Sequence, residues 1–251
     1  MVMNSTDVLF YILIPVIIGV ILLVAFILWL VSRGKNNIKD NKTNQNDDWI
    51  RKRYLSLKEE ETLSANDYYG MLGESEVDRI LQEVQEEADG EVYKDIILKD
   101  KYNNYTEIDN IYVSLCGIFI IETKAWSGNI EGGYYDKEWE IVLGNGDIIH
   151  RQPNPFIQNQ RHVKFFERVI HPKCEITPVV VFIDHKIESM ESKDVILSSE
   201  LKDYILKHEY QVMDQSEYDY IVKRLNNFRD NPVMTHNEYV KWQKEHFKKE
   251  T

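Results

Sequence analysis

Two carboxylates and one amine are spaced along the chain in a pattern that could activate water against a phosphodiester. Glu122 and Lys124 end an apolar run that starts at Gly117, and Asp109 lies upstream in a second strand-like stretch. Strand alternation places Glu122 and Lys124 on the same face of a sheet. Divalent cations take carboxylate oxygens as ligands, and an adjacent amine can orient water or stabilise charge on phosphate. These residue types predict a metal-dependent hydrolytic site.

The short connection between the two strands predicts how the side chains meet. A hairpin turn centred near Cys116 pairs residues whose numbers sum to about 231, which places Asp109 opposite Glu122. Directly opposed side chains have Cβ atoms roughly 5 Å apart. Two carboxylates at that distance repel each other unless a cation lies between them or one is protonated. A solvated Glu–Lys pair at the end of a strand is the alternative explanation of the same spacing.

The elements that must position these residues follow from hydrophobic periodicity and turn signals. In chain order we predict a helix over 67–87, strands over 92–98, 107–114 and 117–124, a hairpin of 134–143 with 147–150, a helix over 155–169, a strand over 176–183, and helices over 199–208, over 216–228 and from 236 onward. Gly70 and Gly73 lie in the apolar stripe of the first helix and would let its backbone approach a sheet. This order predicts an α/β fold with a mixed sheet flanked by helices.

Further motifs precede and follow the acidic strands. Gly73-Glu74 lies on the first helix, and Gln158-Asn159-Gln160 lies near the start of the helix that begins at Pro155. Together with Thr106-Glu107-Ile108-Asp109 and the run from Ile120 to Gly128, these motifs resemble the nuclease-related domain, NERD. That family is similar to the PD-(D/E)XK nuclease superfamily. The resemblance covers about residues 70–184.

The resemblance implies a restriction-endonuclease-like fold and a role for each site residue. Asp109 and Glu122 would hold Mg²⁺ or Mn²⁺, and Glu74 would be the helix-borne acid near the metal. Lys124 would position or polarise water, and Gln158 would point into the site from the second core helix. The implied partner is nucleic acid, with DNA as the expected substrate of phosphodiester hydrolysis.

Several alternatives stay open at this point. Glu76 competes with Glu74 as the helix acid, because both flank the apolar stripe of the helix. Glu74 could also be a carboxylate favoured by the helix dipole, and Gln158 an exposed polar residue of a first turn. The whole domain could be a catalytically inactive nuclease-fold module that binds nucleic acid or a protein partner at the membrane. The formal net charge of -12 favours that alternative, since it opposes general attraction of nucleic acid.

An uncharged apolar stretch near the start of the chain predicts a membrane anchor. Residues 8–31 contain no charged side chain, and as a helix they would be roughly 36 Å long, enough to span a bilayer. Basic residues follow the stretch but do not precede it. The positive-inside rule then places the N-terminus outside the cell membrane and residues 33–251 in the cytoplasm.

These features divide the chain into five predicted segments. They are an extracytoplasmic N-terminus (1–7), a single transmembrane helix (8–31), a polar linker (32–48), a NERD-like domain (49–184, with its core motifs in 70–184) and a C-terminal helical region (185–251). Two cysteines are too few for a disulfide framework, in agreement with a reducing compartment. The seven histidines show no zinc-binding spacing, and none is predicted as a metal ligand.

Overall fold

A computed structural model describes residues 65–126, 128–142, 148–183 and 195–247. These residues belong to a compact unit that begins at Ser64. The predicted transmembrane helix (8–31) and linker (32–48) lie outside the described residues. No helix in the described part of the chain is long and apolar enough to cross a bilayer.

The order of helices and strands agrees with the order predicted from the sequence. The helices are α1 (Ala65–Glu87), α2 (Pro155–Ile170), α3 (Ser198–Leu206), α4 (Gln215–Asp230) and α5 (His236–Phe247). The strands are β1 (Glu91–Lys99), β2 (Tyr105–Ser114), β3 (Gly117–Lys124), β4 (Asn129–Glu131), β5 (Glu138–Val142), β6 (Ile148–Pro153), β7 (Ile176–Phe182) and β8 (Val195–Leu197). β4 and β8 were not predicted, because three residues are too few to show strand alternation.

Five strands form a mixed sheet in the order β1-β2-β3-β7-β8. β1, β2 and β3 pair antiparallel, whereas β3, β7 and β8 pair parallel. A parallel pair needs a crossover connection, and α2 lies in the segment that joins β3 to β7. Residues 179–182 of β7 are all buried, as their continuous apolar character predicts for a strand covered on both faces.

Helices cover both faces of this sheet. On one face α2 and α4 pack against the strands through Val163, Phe166, Ile221 and Leu225. On the other face α1 and α3 do so through Val77, Leu81, Leu201 and Ile205. The fold is therefore mixed α/β with a flanked sheet, as predicted. Helices of the predicted C-terminal region (185–251) contribute to the core on each face.

The close approach of α1 to the sheet occurs at Gly73 and not at Gly70. A Cβ atom at Gly73 would lie 2.9 Å from Ile183 Cγ1 and 3.0 Å from Ala125 Cβ, too close for a side chain to fit unless these neighbours shifted. At Gly70 the same atom would meet none of the described residues within 4 Å. The prediction for Gly70 was wrong, because α1 reaches the sheet only one turn later.

A second, three-stranded sheet in the order β4-β5-β6 packs at the end of the first through Ile130, Trp139, Val180 and Phe182. Its first hairpin strand was predicted from residue 134 but begins at Glu138. Residues 133–136 form a turn instead, in which the Asp136 N–H donates to the Gly133 carbonyl at 3.1 Å. The Trp139 indole N–H donates to the same carbonyl at 3.0 Å. The chain therefore makes a turn between Gly133 and Asp136, and the strand that sequence alternation predicted from residue 134 begins only after this turn.

Candidate functional site

The β2–β3 hairpin brings Asp109 next to Glu122. Ser114 pairs with Gly117 and Asn110 with Ile121, so the predicted register is confirmed. The ladder ends at the Asn110 pair, one position before Asp109 and Glu122. There the Asp109 carboxylate accepts a hydrogen bond from the Thr123 backbone N–H at 2.9 Å. Asp109 is thus held against the end of β3 by its side chain rather than by its backbone.

Glu122, Lys124 and Gln158 form a continuous polar chain from β3 to α2. Glu122 is only 2% exposed. Lys124 Nζ donates to Glu122 Oε1 at 2.5 Å and to Gln158 Oε1 at 3.2 Å. The amine therefore lies between a buried carboxylate and the amide of Gln158, the residue that the resemblance directs into the site from the second core helix.

His162 joins this chain, although the sequence did not reveal it. Its Nε2 lies 3.2 Å from Glu122 Oε2, and its Nδ1 lies 2.7 Å from Thr106 Oγ1. The contact with Oε2 is close but poorly aligned, so this buried oxygen has no well-formed hydrogen bond. His162 follows Gln158 by four residues on α2, so helical spacing alone could have placed both on one face.

The pairing of β1 with β2 is irregular beside Asp109. Ile108 and Ile111 pack into the same core although they are three residues apart, so strand alternation is interrupted between them. The ladder joins the residues on either side of Asp95 and Asp109 but skips this pair. Asp95 has a positive φ of 50°, a left-handed conformation. In register, Asp95, Asp109 and Glu122 form a row of carboxylate-bearing residues across three strands.

Glu74 lies on α1, on the opposite face of the sheet from α2. Burial raises its pKa to about 7, with a further increase from Asp95 and an opposing effect of Lys94. Glu74 also contributes to raising the pKa of Asp109. In the part of the chain that is described, however, Glu74 forms no hydrogen bond with Lys124. Its connection to the site is therefore electrostatic.

Glu76, the alternative helix acid, is engaged elsewhere. Its Oε1 accepts a hydrogen bond from Ser198 Oγ at 2.6 Å. Ser198 is the first residue of α3, so this contact joins α1 to α3 rather than to the acidic strands. Of the two glutamates, only Glu74 is among the groups that affect the pKa of Asp109 most strongly.

The surroundings of the two strand carboxylates shift their pKa values in opposite directions. Burial raises the pKa of Asp109 well above its usual range, and the nearby Glu122 adds to the increase. Burial also acts to raise the pKa of Glu122, but Lys124 and His162 outweigh it, so the net pKa is lowered. Burial and neighbours therefore favour the neutral form of Asp109 and the charged form of Glu122.

Asn159 fixes α2 against the sheet beside Gln158. Its side chain is fully buried, and Nδ2 donates to the carbonyls of Ile120 and Val179 at 2.9 Å each. Pro178, which pairs with Ile120 in the middle of the sheet, has no backbone N–H to donate. The Asn159 amide supplies hydrogen bonds to the strands at this point. The next residue along the chain from Gln158 therefore holds the helix that presents Gln158 to Lys124.

The donor set at the site fits a hard divalent cation only in part. No group of three or more His, Cys, Asp or Glu side chains arranged to hold a metal ion occurs within the described ranges. Mg²⁺ is often bound by one or two carboxylates, with water and substrate phosphate completing the coordination. Asp109 and Glu122 supply two such carboxylates, and Glu122 Oε2 is a buried acceptor without a well-formed hydrogen bond. These two residues can therefore hold the ion, whereas Glu74 does not join them directly.

Comparisons with known proteins agree with the motifs. Residues 69–183 match the family model of the nuclease-related domain, NERD, so the resemblance seen in the sequence is confirmed for that segment. An uncharacterized protein of Bacillus anthracis is 29% identical over an alignment 129 residues long, and the match covers 47% of this chain and 59% of the relative. The chain thus spans little more than half of that relative's length.

A solved structure also aligns with the chain at low similarity. Can2 from Sulfobacillus thermosulfidooxidans, in complex with cyclic tetra-adenylate, is 16% identical. The alignment covers 63% of this chain and 38% of that protein, with a TM-score of 0.29. A likeness of this size carries no argument about function.

Proposed function

With a nuclease-related domain in residues 69–183 as the premise, we propose that this chain hydrolyses phosphodiester bonds in nucleic acid, with DNA as the expected substrate. The observation that carries the proposal is the polar chain of the buried Glu122 with the partly buried Lys124 and Gln158, with Asp109 held beside it. Two carboxylates and an amine converge where the end of β3 meets α2. The proposal includes a restriction-endonuclease-like arrangement of the five-stranded sheet.

Each residue has a distinct task in this proposal. Asp109 and Glu122 would hold Mg²⁺ or Mn²⁺, which when bound stabilises negative charge on the phosphate and lowers the pKa of a bound water. Lys124 Nζ is placed to donate a hydrogen bond to the attacking water or to a phosphate oxygen. Gln158 orients Lys124, and His162 orients Glu122. Glu74 would act from the opposite face as an electrostatic partner of Asp109.

A cleavage assay on the purified full-length chain tests the proposal. Substrates are plasmid DNA, linear duplex DNA, single-stranded DNA and RNA, each with Mg²⁺, with Mn²⁺ and with EDTA. Asp109→Asn is nearly isosteric and should lower metal-dependent cleavage by a factor on the order of 10² or more. Lys124→Ala should lower it comparably. Undiminished cleavage by both variants would reject the assignment.

Matched controls separate chemistry from folding. Asp203→Asn and Lys223→Ala make the same substitutions at exposed helix positions outside the site. Both should cleave as the parent does. Circular dichroism of each variant checks that it is folded, because a loss of activity counts only where the secondary structure is retained.

A second candidate function is a nuclease-fold module without catalysis. It is favoured by the contacts that already stabilise the charged form of Glu122, since Lys124 and His162 lower its pKa without a metal ion. Such a module would bind nucleic acid or a protein partner at the membrane. Calorimetric titration with Mn²⁺ discriminates between the candidates. Metal uptake that Asp109→Asn removes supports the nuclease, and no uptake by the parent chain supports the module.

We further propose that the domain is tethered to the cytoplasmic face of the cell membrane by residues 8–31. The proposal is supported by the absence of charge in that stretch and by the basic residues that follow it. Fractionation of cells that express the full chain should recover it with membranes, resistant to extraction by high salt. Protease added to intact cells should leave the domain uncleaved.

A further inference from the structure

A basic cleft lies at the far end of α2 from Gln158. It has a volume of about 460 Å³ and lies among the β1–β2 turn, the C-terminal end of α2, and α4. The cleft is lined by Lys99, Asp100, Lys101, Tyr102, Arg168, Val169, His171, Arg224 and Phe228. Four of these side chains carry a permanent positive charge, in a chain whose net charge is -12.

The four positive charges of this cleft exceed the single negative charge of its lining, that of Asp100. Across the described ranges, none of Lys99, Lys101, Arg168 and Arg224 forms an ion pair with a carboxylate. Asp100 is the one acidic side chain of the lining, and its Oδ1 accepts hydrogen bonds from the backbone N–H groups of Tyr102 and Asn104. Asp100 therefore closes the turn through its hydrogen bonds, which lower its pKa, and the charge of Arg168 adds to that lowering without an ion pair. A concentration of unpaired cations of this kind attracts an anion.

Contacts with aromatic rings and backbone keep the cations in place. The Arg168 guanidinium lies 5.0 Å from the centre of the Phe165 ring, and Lys101 Nζ lies 5.0 Å from that of Tyr102. Arg224 Nη2 donates to the Val169 carbonyl at 2.7 Å. A guanidinium has five N–H donors, so most of those on Arg224 remain available. Arginines fixed in this way suit the oxygens of a phosphate group.

Two independent routes through the fold give the distance between the basic cleft and the candidate site. Arg168 follows Gln158 by ten residues on α2, which is roughly 15 Å along the helix. Lys99 follows Asp95, the β1 member of the acidic row, by four residues, which is roughly 13 Å along the strand. Successive phosphates of one strand of duplex DNA rise by about 3.4 Å, so the separation corresponds to about four nucleotides.

We propose that the basic cleft binds phosphate groups of the nucleic acid about four nucleotides from the bond held at Asp109 and Glu122. This inference rests on the proposed function. The cleft would supply the local attraction that an acidic chain needs in order to hold a polyanion. It would also set the direction in which the strand crosses α2.

The test measures binding without cleavage. A fluorescein-labelled 20-base-pair DNA duplex is titrated with the purified full-length chain in EDTA, and its anisotropy is recorded at several salt concentrations. Lys101→Ala/Arg168→Ala should raise Kd by about 10-fold or more at low salt. The slope of log K against log salt should become shallower by about 1 to 2, since each phosphate contact on B-DNA contributes roughly 0.9.

Control variants with matched charge changes test whether the loss of duplex affinity comes from the cleft itself. Lys207→Ala/Lys223→Ala removes the same charge from side chains that do not line the cleft, and should change Kd less than 3-fold. Lys101→Arg/Arg168→Lys keeps both charges and should retain the salt slope of the parent. Equal losses in the cleft pair and the outside pair would overturn the proposal.

Two further measurements separate this proposal from its rivals. Cleft-dependent binding of AMP, with duplex binding unchanged in the cleft variant, would assign the phosphate site to a free nucleotide and overturn the proposal. If cleavage proves absent while cleft-dependent binding persists, the proposed hydrolysis fails and the phosphate site stands. If the chain cleaves nucleic acid but the cleft variants bind duplex as tightly as the parent, the proposed hydrolysis stands and the phosphate site is overturned.

Discussion

Glu122 and Glu74 are both withdrawn from water on opposite faces of one sheet, yet their pKa values are shifted in opposite directions. Beside α2, Lys124 and His162 lower the pKa of Glu122 in spite of burial. On α1, burial and the nearby Asp95 raise the pKa of Glu74 to about 7. Burial disfavours the charged form of each carboxylate, so the identity of the neighbours decides the outcome.

The contrast assigns different uses to the two faces. On the α2 face the charged form of Glu122 is stabilised with an amine beside it, and in the proposed function this arrangement would bind the metal ion and activate water. The α1 face brings together carboxylates that repel one another, since Asp95, Asp78 and Glu107 all raise the pKa of Glu74. A carboxylate in such surroundings responds to pH near neutrality and to any cation that approaches.

Removal of the Lys124 amine should have the largest effect, because this amine is the main reason that the pKa of Glu122 is shifted in the opposite direction from that of Glu74. Lys124→Met leaves Glu122 buried and without its main cation, so the free energy of unfolding should fall by about 3–5 kcal/mol. Urea denaturation of the metal-free chain measures the change. The free energy of unfolding should fall less in the double variant Glu122→Gln/Lys124→Met than in the single variant, because no buried carboxylate is then left without a cation.

Lys223→Met, at an exposed position on α4, is the control and should leave the urea midpoint within the error of the parent. An unchanged midpoint for Lys124→Met would show that Glu122 does not depend on this amine.

Loss of the anchor of α2 should have the next largest effect. Asn159→Ala removes two buried hydrogen bonds to strand carbonyls, so the free energy of unfolding should fall by about 2–3 kcal/mol. Cleavage by the folded fraction should also fall, because Gln158 is presented by the same turn of helix. Asn231→Ala, at the exposed end of α4, is the matched control and should cost less than 1 kcal/mol.

The raised pKa of Glu74 predicts a pH dependence of stability. The folded state holds the Glu74 proton up to a pH of about 7, whereas the unfolded chain releases it near 4.5, the ordinary pKa of a glutamate. The folded state therefore binds more protons in that window, and stability falls as pH rises through it. Glu74→Gln should remove this loss and be more stable than the parent at pH 8, by on the order of 1–2 kcal/mol after allowance for solvent screening.

Urea denaturation in EDTA at pH 5 and pH 8 measures the effect, with the exposed Glu131→Gln as the control. At pH 5 the Glu74 variant and the parent should differ little. If Glu74→Gln raises the free energy of unfolding as much at pH 5 as at pH 8, the raised pKa of Glu74 is not the cause of the stabilisation.

The smallest effect should separate the two helix glutamates. Glu76→Gln weakens the hydrogen bond from Ser198 and should cost about 1 kcal/mol of stability while leaving cleavage unchanged. Glu74→Gln should lower cleavage instead. If Glu76→Gln lowers cleavage while Glu74→Gln does not, the roles are the reverse of those proposed.

Short-range patterns accounted for much of the fold and part of the site. The two-residue connection of Leu115 and Cys116 leaves little freedom in how β2 and β3 pair, so the register followed from the sequence. Strand alternation then placed Glu122 and Lys124 on one face. Helical spacing could also have placed His162 beside Gln158. No role was predicted for this residue, because the histidines show no zinc-binding spacing.

Other features depend on contacts between distant segments. The interruption of alternation at Asp109 arises where β1 and β2 depart from regular pairing together, and neither strand shows it alone. The role of Asn159 exists only because α2 crosses the point where Pro178 sits in the sheet. The basic cleft takes its cations from the β1–β2 turn, α2 and α4, which are far apart along the chain.

The sequence by itself determined the order of helices and strands, the register of the central hairpin, and the pairing of Glu122 with Lys124, because these depend on periodicity and on a short turn. Tertiary structure decided the direction in which each carboxylate's pKa is shifted, which glutamate of α1 acts on the pKa of Asp109, and where cations without ion pairs lie close together. Those properties are set by burial and by electrostatic neighbours from other elements, and side chains distant in sequence become neighbours only when the chain is packed.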